Sequence, residues 1–380
     1  MPSASAAEAP SQATSGNSVR NLVGRQRIAA ADTATPLPLA RQPIDLLGKS
    51  TTSLGDWMEA CDTDGFLVMH QGQVITEMYS NGMTPSTNHG LGSLTRNVVA
   101  SAIAILADQG KLALDTPVET YMPELSKSGF AGATIQQLLD MRSGVSSSMM
   151  KIAQAMGWSS AEEGKPPLPN GIHELLLTLP KEVSHGGPFK YRAGDTELLG
   201  CLCERVAGQT MGEVVSELIW QPMGAQQDAD LMLDKRQIPF YSGGMSATLR
   251  DAARFGSLWL NGGASNGKQI LPAAFVHDTR HGDDAAMEAF ENSAAPGNKH
   301  FFGLMASPGS MYKNQTWNLD EKRGTVLMYG AAGQMIFIDP PAQLMCTVLS
   351  QWPGSFVPDR VQGWLNAFAA LQAHLAPDTL

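Results

Sequence analysis

The 380-residue sequence is poor in charge: Asp, Glu, Lys and Arg together make up 16% of it, and acidic residues outnumber basic ones by 36 to 26. A formal net charge of −10 repels phosphate backbones and anionic lipid surfaces, so neither nucleic acid nor a membrane is an expected partner. No run of about 18 apolar residues occurs, so no spanning helix is expected. Cysteines number only four, Cys61, Cys201, Cys203 and Cys346, with no CxxC pair. They read as buried free thiols, which suits a reducing compartment. Residues 1–18 hold neither a basic start nor an apolar stretch, so the cytoplasm is the expected location. Phosphate loops, dinucleotide fingerprints and internal repeats are also missing, and no cofactor is expected.

What remains is a chain with 43% hydrophobic residues, enough for a large core or two joined lobes. Residues 1–40, rich in Ala, Ser, Thr and Pro, read as a flexible N-terminal tail. The runs Gly65–His70 and Gln73–Tyr79, joined by Gln71-Gly72, give a hairpin signal. Ser93 to Gln109 has the apolar spacing of a buried helix that Gly110 ends, and Thr134 to Met141 a shorter one capped by Thr134. Residues 144–170 read as a loop beside a site. Helices follow over Thr196 to Ala207, capped by Asp195 or Thr196, and over Thr248 to Leu260, capped by Thr248. Strands at Gly324 to Met328, Met335 to Ile338 and Leu344 to Leu349 precede a final helix to about Leu375. Strands at both ends with helices between predict an α/β (α+β) protein with one sheet built from distant parts of the chain. Its α/β lobe is expected from about 41–92 and 305–380, and a mostly helical lobe from about 93–304.

Ser93-Leu94-Thr95-Arg96 opens the buried helix. A serine there has its hydroxyl among unpaired N–H groups that stabilise negative charge on an attacked carbonyl. Serine is also among the commonest helix caps, which is the plain structural alternative. His277 and His281 have an HxxxH spacing without an evident third ligand, and no metal site is expected. His185 could line a cleft but is equally an exposed loop residue. Trp317 and the pair Met149-Met150 suit either pocket walls or core.

Several segments carry a resemblance. They are Leu91-Gly92-Ser93-Leu94-Thr95, Ile105-Leu106-Ala107-Asp108-Gln109-Gly110-Lys111-Leu112, and Thr134-Ile135-Gln136-Gln137-Leu138-Leu139-Asp140-Met141-Arg142-Ser143-Gly144-Val145. With them goes Gly243-Gly244-Met245-Ser246-Ala247-Thr248, followed by Asp251, Ala253 and Arg254. Together they resemble the penicillin-recognising serine hydrolases, in the class C β-lactamase and esterase branch, and most of all the 6-aminohexanoate-dimer (nylon-oligomer) hydrolases. The likeness runs over roughly residues 45–370. It implies the β-lactamase/transpeptidase-like fold, an antiparallel sheet flanked by helices plus a mostly helical lobe. It further implies Ser93 as nucleophile, with Tyr191 of Phe189-Lys190-Tyr191-Arg192-Ala193-Gly194-Asp195 as base or proton relay. The segment Gly330-Ala331-Ala332-Gly333-Gln334 stands where the family has Lys-Thr-Gly or His-x-Gly. There the backbone N–H near Gln334, beside Gly333, would complete an oxyanion hole with that of Ser93.

Three polar positions depart from that pattern. Arg96 replaces the lysine of Ser-x-x-Lys, Ala193 the polar residue of the second motif, and Ala331 the cation of the third. A guanidinium cannot act as a base at neutral pH, but its permanent charge favours a phenolate at Tyr191. Asp195 could pair with Arg96 and cancel that field. With Ala331 and Ala332 a β-lactam drug's carboxylate finds neither charge nor hydroxyl. The expected function is hydrolysis of a small amide, ester or lactam through an acyl-Ser93 intermediate. The alternative is a catalytically altered or silent protein that binds a small ligand or runs non-hydrolytic proton-transfer chemistry. The expected substrate is a small molecule, and the expected state a monomer or homodimer.

Overall fold

The computed structural model describes residues 24–37, 54–147, 149–156, 171–234, 236–293, 304–305 and 309–379. Its first elements are β1 (Arg25–Ile28), α1 (Leu54–Ala60), β2 (Thr63–His70), β3 (Gln73–Tyr79), β4 (His89–Gly90), a short 3-10 turn (Gly92–Leu94) and α2 (Thr95–Asp108). Next come α3 (Ile135–Leu139), α4 (Met149–Ala155), α5 (Ile172–Thr178), α6 (Ala193–Ala207), α7 (Met211–Val215), β5 (Ala229–Met232), β6 (Met245–Ala247) and α8 (Leu249–Leu260). The last third holds β7 (Ala264–Ser265), β8 (Lys268–Gln269), α9 (Ala273–His281), α10 (Asp284–Glu291), β9 (Met311–Lys313) and β10 (Thr316–Asp320). It ends in β11 (Thr325–Gly330), β12 (Gln334–Asp339), β13 (Leu344–Ser350) and α11 (Pro358–Leu375).

The expected antiparallel sheet is present, in the order β3-β2-β13-β12-β11-β10-β9. Gln71 and Gly72 both take positive φ, 50° and 76°, as a two-residue hairpin loop requires. Alternation along the strands splits the core in two. Leu67, Met69, Ile336, Met345 and Leu349 join the core of the helices on one side, including α2 and α8. Phe66, Val68, Phe337 and Cys346 face the other way, where the rings of Phe66 and Trp364 lie 5.1 Å apart and those of Phe337 and Phe368 stack at 4.7 Å. Because both faces are covered, the inner strands read as apolar runs rather than as alternating ones.

Four expectations need correction. Part of the supposed tail is structural: β1 pairs with β5 in a four-stranded sheet of order β1-β5-β6-β4, and Ile28 is buried. Ile28, two positions after Gln26, gives that segment its buried residue. Second, the helical lobe does not own all of 93–304, since Ala252, Leu258 and Trp259 of α8 join the core against the main sheet. Third, α4 lies inside the expected loop 144–170, of which residues 148 and 157–170 fall outside the described residues. Fourth, α6 starts at Ala193, with Arg192 at the cap position and no side-chain cap bond. Asp195 and Thr196 therefore lie within the helix, their side chains spent elsewhere. Thr134 and Thr248 do cap α3 and α8, accepting from the N–H groups of Gln137 and Asp251. All four cysteines are free, Cys201 partly buried and the rest buried, and burial pushes the Cys61 thiol up to about 11.

Candidate active site

Ser93 sits in the middle of the 3-10 turn that leads into α2, partly exposed. That turn is held from below. The N–H of Leu91 donates to Met245 O at 2.8 Å, and the Thr95 hydroxyl donates to Gly92 O at 2.7 Å while accepting from Met245 N at 3.1 Å. The Gly-Gly-Met-Ser-Ala-Thr segment thus forms β6, the shelf on which the serine turn rests. Leu94 holds the cap position of α2, with no side-chain cap bond. Ser93 is therefore at neither cap position, which Leu91 and Leu94 hold, and among the described residues its hydroxyl makes no cap bond.

The end of β11 closes over the same turn. A Cβ on Gly330 would stand 2.4 Å from Leu91 O, so only glycine fits. A Cβ on Gly92, which has φ 52°, would likewise stand 3.1 Å from Ala331 N. Gly333, at φ 89°, packs its backbone on the Trp352 indole. The Gln334 side chain is buried and pinned, donating to Ser350 O at 2.7 Å and accepting from Ser350 N at 3.1 Å. Only the main chain of Gln334 is left for chemistry at the turn.

One helical turn beyond Ser93, Arg96 is buried, 2% exposed. Its Cζ lies 4.6 Å from the centroid of the Tyr191 ring, the geometry of a cation–π contact. Its Nη1 donates to Thr196 Oγ1 at 2.8 Å and to Arg192 O at 3.4 Å, while Nε is buried without a partner. Tyr191, partly exposed, stacks on Trp317 at 5.8 Å and meets Tyr312 edge-on at 6.0 Å. Trp317 is 2% exposed, so it backs the tyrosine rather than walling a pocket.

The pairing of Asp195 with Arg96 that the sequence left open is not made: among the described residues Arg96 forms no ion pair. Asp195 instead accepts from Ser143 Oγ at 2.6 Å, and its Oδ2 is buried without a hydrogen bond. Burial pushes Asp195 up to about 7, against the opposing pull of Arg192, the Ser143 bond and Arg96. Glu197, one residue past Thr196, also rises to about 7 by burial, although it accepts from the N–H groups of Tyr241 and Ser242. Burial likewise raises the phenols of Tyr312 and Tyr329 well above their usual range.

The other candidates are satisfied locally. Both ring nitrogens of His185 meet carbonyl oxygens, of Ser143 and Ala131. His277 and His281 lie with rings 4.6 Å apart, but His281 is bonded to Glu321 O. Among the described residues no group of three or more His, Cys, Asp and Glu is placed to hold a metal ion. Met149 is exposed on α4. Sequence reasoning missed Thr196, Gln315, Tyr312 and Ser143, which reach the site only through long-range packing.

A model of the beta-lactamase family matches residues 58–371. The chain belongs to that family. A 6-aminohexanoate-dimer hydrolase of Paenarthrobacter ureafaciens is 29% identical over 336 residues, covering 86% of this chain and 82% of the relative. The esterase EstB of Burkholderia gladioli is 26% identical over 171 residues, 42% of this chain and 43% of that one. A solved structure from Bacillus anthracis, provisionally named a 6-aminohexanoate-dimer hydrolase, superposes with a TM-score of 0.84 at 27% identity, covering 97% of this chain and 96% of the other. The fold is therefore that of the beta-lactamases and penicillin-binding proteins, and the chain takes its place among the hydrolases of the family. No helix among the described residues is long and apolar enough to cross a membrane.

Proposed function

We propose that the protein hydrolyses a small amide, ester or lactam through an acyl-Ser93 intermediate. The observation that carries this reading is Ser93, at no helix cap position, on a turn packed against β11, one helical turn from a cation held over Tyr191. In the acylation step Ser93 Oγ attacks the substrate carbonyl and its proton passes to Tyr191. The N–H groups of Ser93 and Gln334 receive the oxyanion. Collapse breaks the bond to the amine or alcohol, which leaves with the proton from Tyr191. Water then attacks the acyl-serine, again with Tyr191 taking the proton, and releases the acid.

Arg96 acts in this scheme as a fixed charge and not as a base. Relatives named a 6-aminohexanoate-dimer hydrolase and an esterase support the choice of an amide or ester substrate. Ala331 and Ala332, at the position of the third motif, offer an anionic substrate no cation. Free thiols favour a cytoplasmic site of action.

A specific observation supports the second reading as well: Arg96 is committed to Thr196 and is buried, which suits a site rebuilt for ligand binding or for non-hydrolytic proton transfer. Incubation with a fluorophosphonate followed by intact-mass measurement separates the two. The hydrolase reading expects one adduct on the wild type and none on Ser93→Ala. An unlabelled wild type would favour the rebuilt site.

A further inference from the structure

We propose that Thr196 and Gln315 are positioning residues that hold the Arg96 guanidinium against the Tyr191 ring. The inference rests on the reading of Ser93 and Tyr191 given above and adds to it the device that keeps the cation in place.

The direction of every hydrogen bond in this device follows from its far end. Gln315 Nε2 donates to the carbonyls of Leu138 and Leu139, at 2.9 and 3.1 Å, which uses both of its hydrogens. Its Oε1 must then accept, and it takes the Thr196 hydroxyl at 2.7 Å. With its one hydrogen spent, Thr196 Oγ1 can only accept from Arg96 Nη1 at 2.8 Å. Leu138 and Leu139 belong to α3, Gln315 to the β9–β10 loop, Thr196 to α6 and Arg96 to α2. Four separate parts of the fold therefore meet in one polarised chain. All three relay side chains are buried, Arg96 and Gln315 at 2% exposure and Thr196 at 0%, where an unmatched partner is costly.

A second observation, on the backbone, points the same way. Lys313 pairs with Thr316, so Asn314 and Gln315 form a two-residue hairpin loop, and their φ angles are 51° and 63°. Such loops favour glycine at the second position, because a side chain there is strained. Gln315 occupies it nonetheless, further fixed by Asn97 Nδ2, which donates to Gln315 O at 2.9 Å. The local backbone gains nothing from a glutamine at that place. The gain lies in what its side chain holds.

The test uses steady-state turnover of p-nitrophenyl acetate by the full chain, with circular dichroism to confirm folding. Thr196→Val removes the acceptor at nearly constant volume, and Gln315→Gly removes the far end of the relay while suiting the positive φ. Each is expected to lower kcat about tenfold or more with KM changed less than about twofold, and Thr196→Ser to keep kcat within about threefold of wild type. A purely structural role would not split kcat from KM in this way. If one variant does not fold, the other carries the test. Folded variants with wild-type kcat, or losses confined to KM, would overturn the proposal while wild-type labelling at Ser93 left the hydrolase reading intact. A wild type that neither turns over ester nor is labelled would sink both.

Discussion

At the scale of single residues, the site is governed by what burial does to charge. Asp195 is fully buried, and its carboxyl has been pushed up to about 7, mainly by loss of solvent. In the unfolded chain the same group ionises near ~4. Below that value both states hold the proton and the group contributes nothing. Between about pH 4 and 7 the unfolded state releases its proton while the native state keeps it, so stability falls as pH rises. Above about 7 both are ionised and the loss levels off. Asp195→Asn keeps an oxygen for the Ser143 hydroxyl but cannot ionise. Its melting temperature relative to wild type should climb from pH 5 to pH 7.5 and then flatten, with an advantage on the order of 4 kcal/mol at the plateau. A difference that does not vary with pH would show that the buried charge is compensated elsewhere. Ser93, Arg96 and Tyr191 were legible as candidates from their spacing and from the family pattern. The partner of Asp195 stayed open between Arg96 and others, because nothing in a linear sequence places Ser143 closer to it than Arg96.

At the scale of elements, the serine turn and the β11–β12 hairpin are built against each other. Gly330 is where they touch, with Leu91 O only 2.4 Å from the place a Cβ would take and Leu94 Cδ1 at 3.0 Å. Leu91 O also accepts from Leu94 N at 3.2 Å, which closes the 3-10 turn around Ser93. Gly330→Ala should therefore push that carbonyl and misplace Ser93, at a stability cost of about 1–3 kcal/mol. Fluorophosphonate labelling of this variant should slow by about tenfold or more, since small displacements at a reacting atom cost rate steeply. Labelling at the wild-type rate would mean the turn is not aligned by β11. The hairpin at Gln71-Gly72 and the caps at Thr134 and Thr248 could be read from local chemistry, because two-residue loops and helix starts are made by neighbours in sequence. The start of α6 could not, since its first turn is paid in contacts with Ser147 and Ser143 rather than in a cap.

At the scale of the whole molecule, the N-terminal segment is part of the fold. Arg25 and Arg27 pair with Asp230 and Asp228, the first at 2.5 Å and the second at 2.6 Å, and the Arg254 guanidinium donates to Thr35 O. The two surface pairs contribute little. Burial of Ile28, worth about 1.5–3 kcal/mol, and the lost β1–β5 ladder dominate. Removing residues 1–28 should lower the melting temperature by roughly 5 °C or more, and an unchanged value would show that β1 adds nothing. This strand was hidden in the sequence by its length of four residues and its polar surroundings.

The sequence by itself determined the class of the protein and the placing of its main parts. Apolar runs long enough for inner strands, a buried helix opening at Ser93 and a glycine-rich turn before Gln334 are local or pairwise patterns, and such patterns survive in one dimension. Only the tertiary structure decided how the charges are arranged. Whether Arg96 meets Asp195 or Thr196 depends on how α2, α3, α6 and the β9–β10 loop converge, over separations of about 100 residues and more along the chain. Electrostatic energies change steeply with distance and with exclusion of water, and both are properties of the packed interior alone.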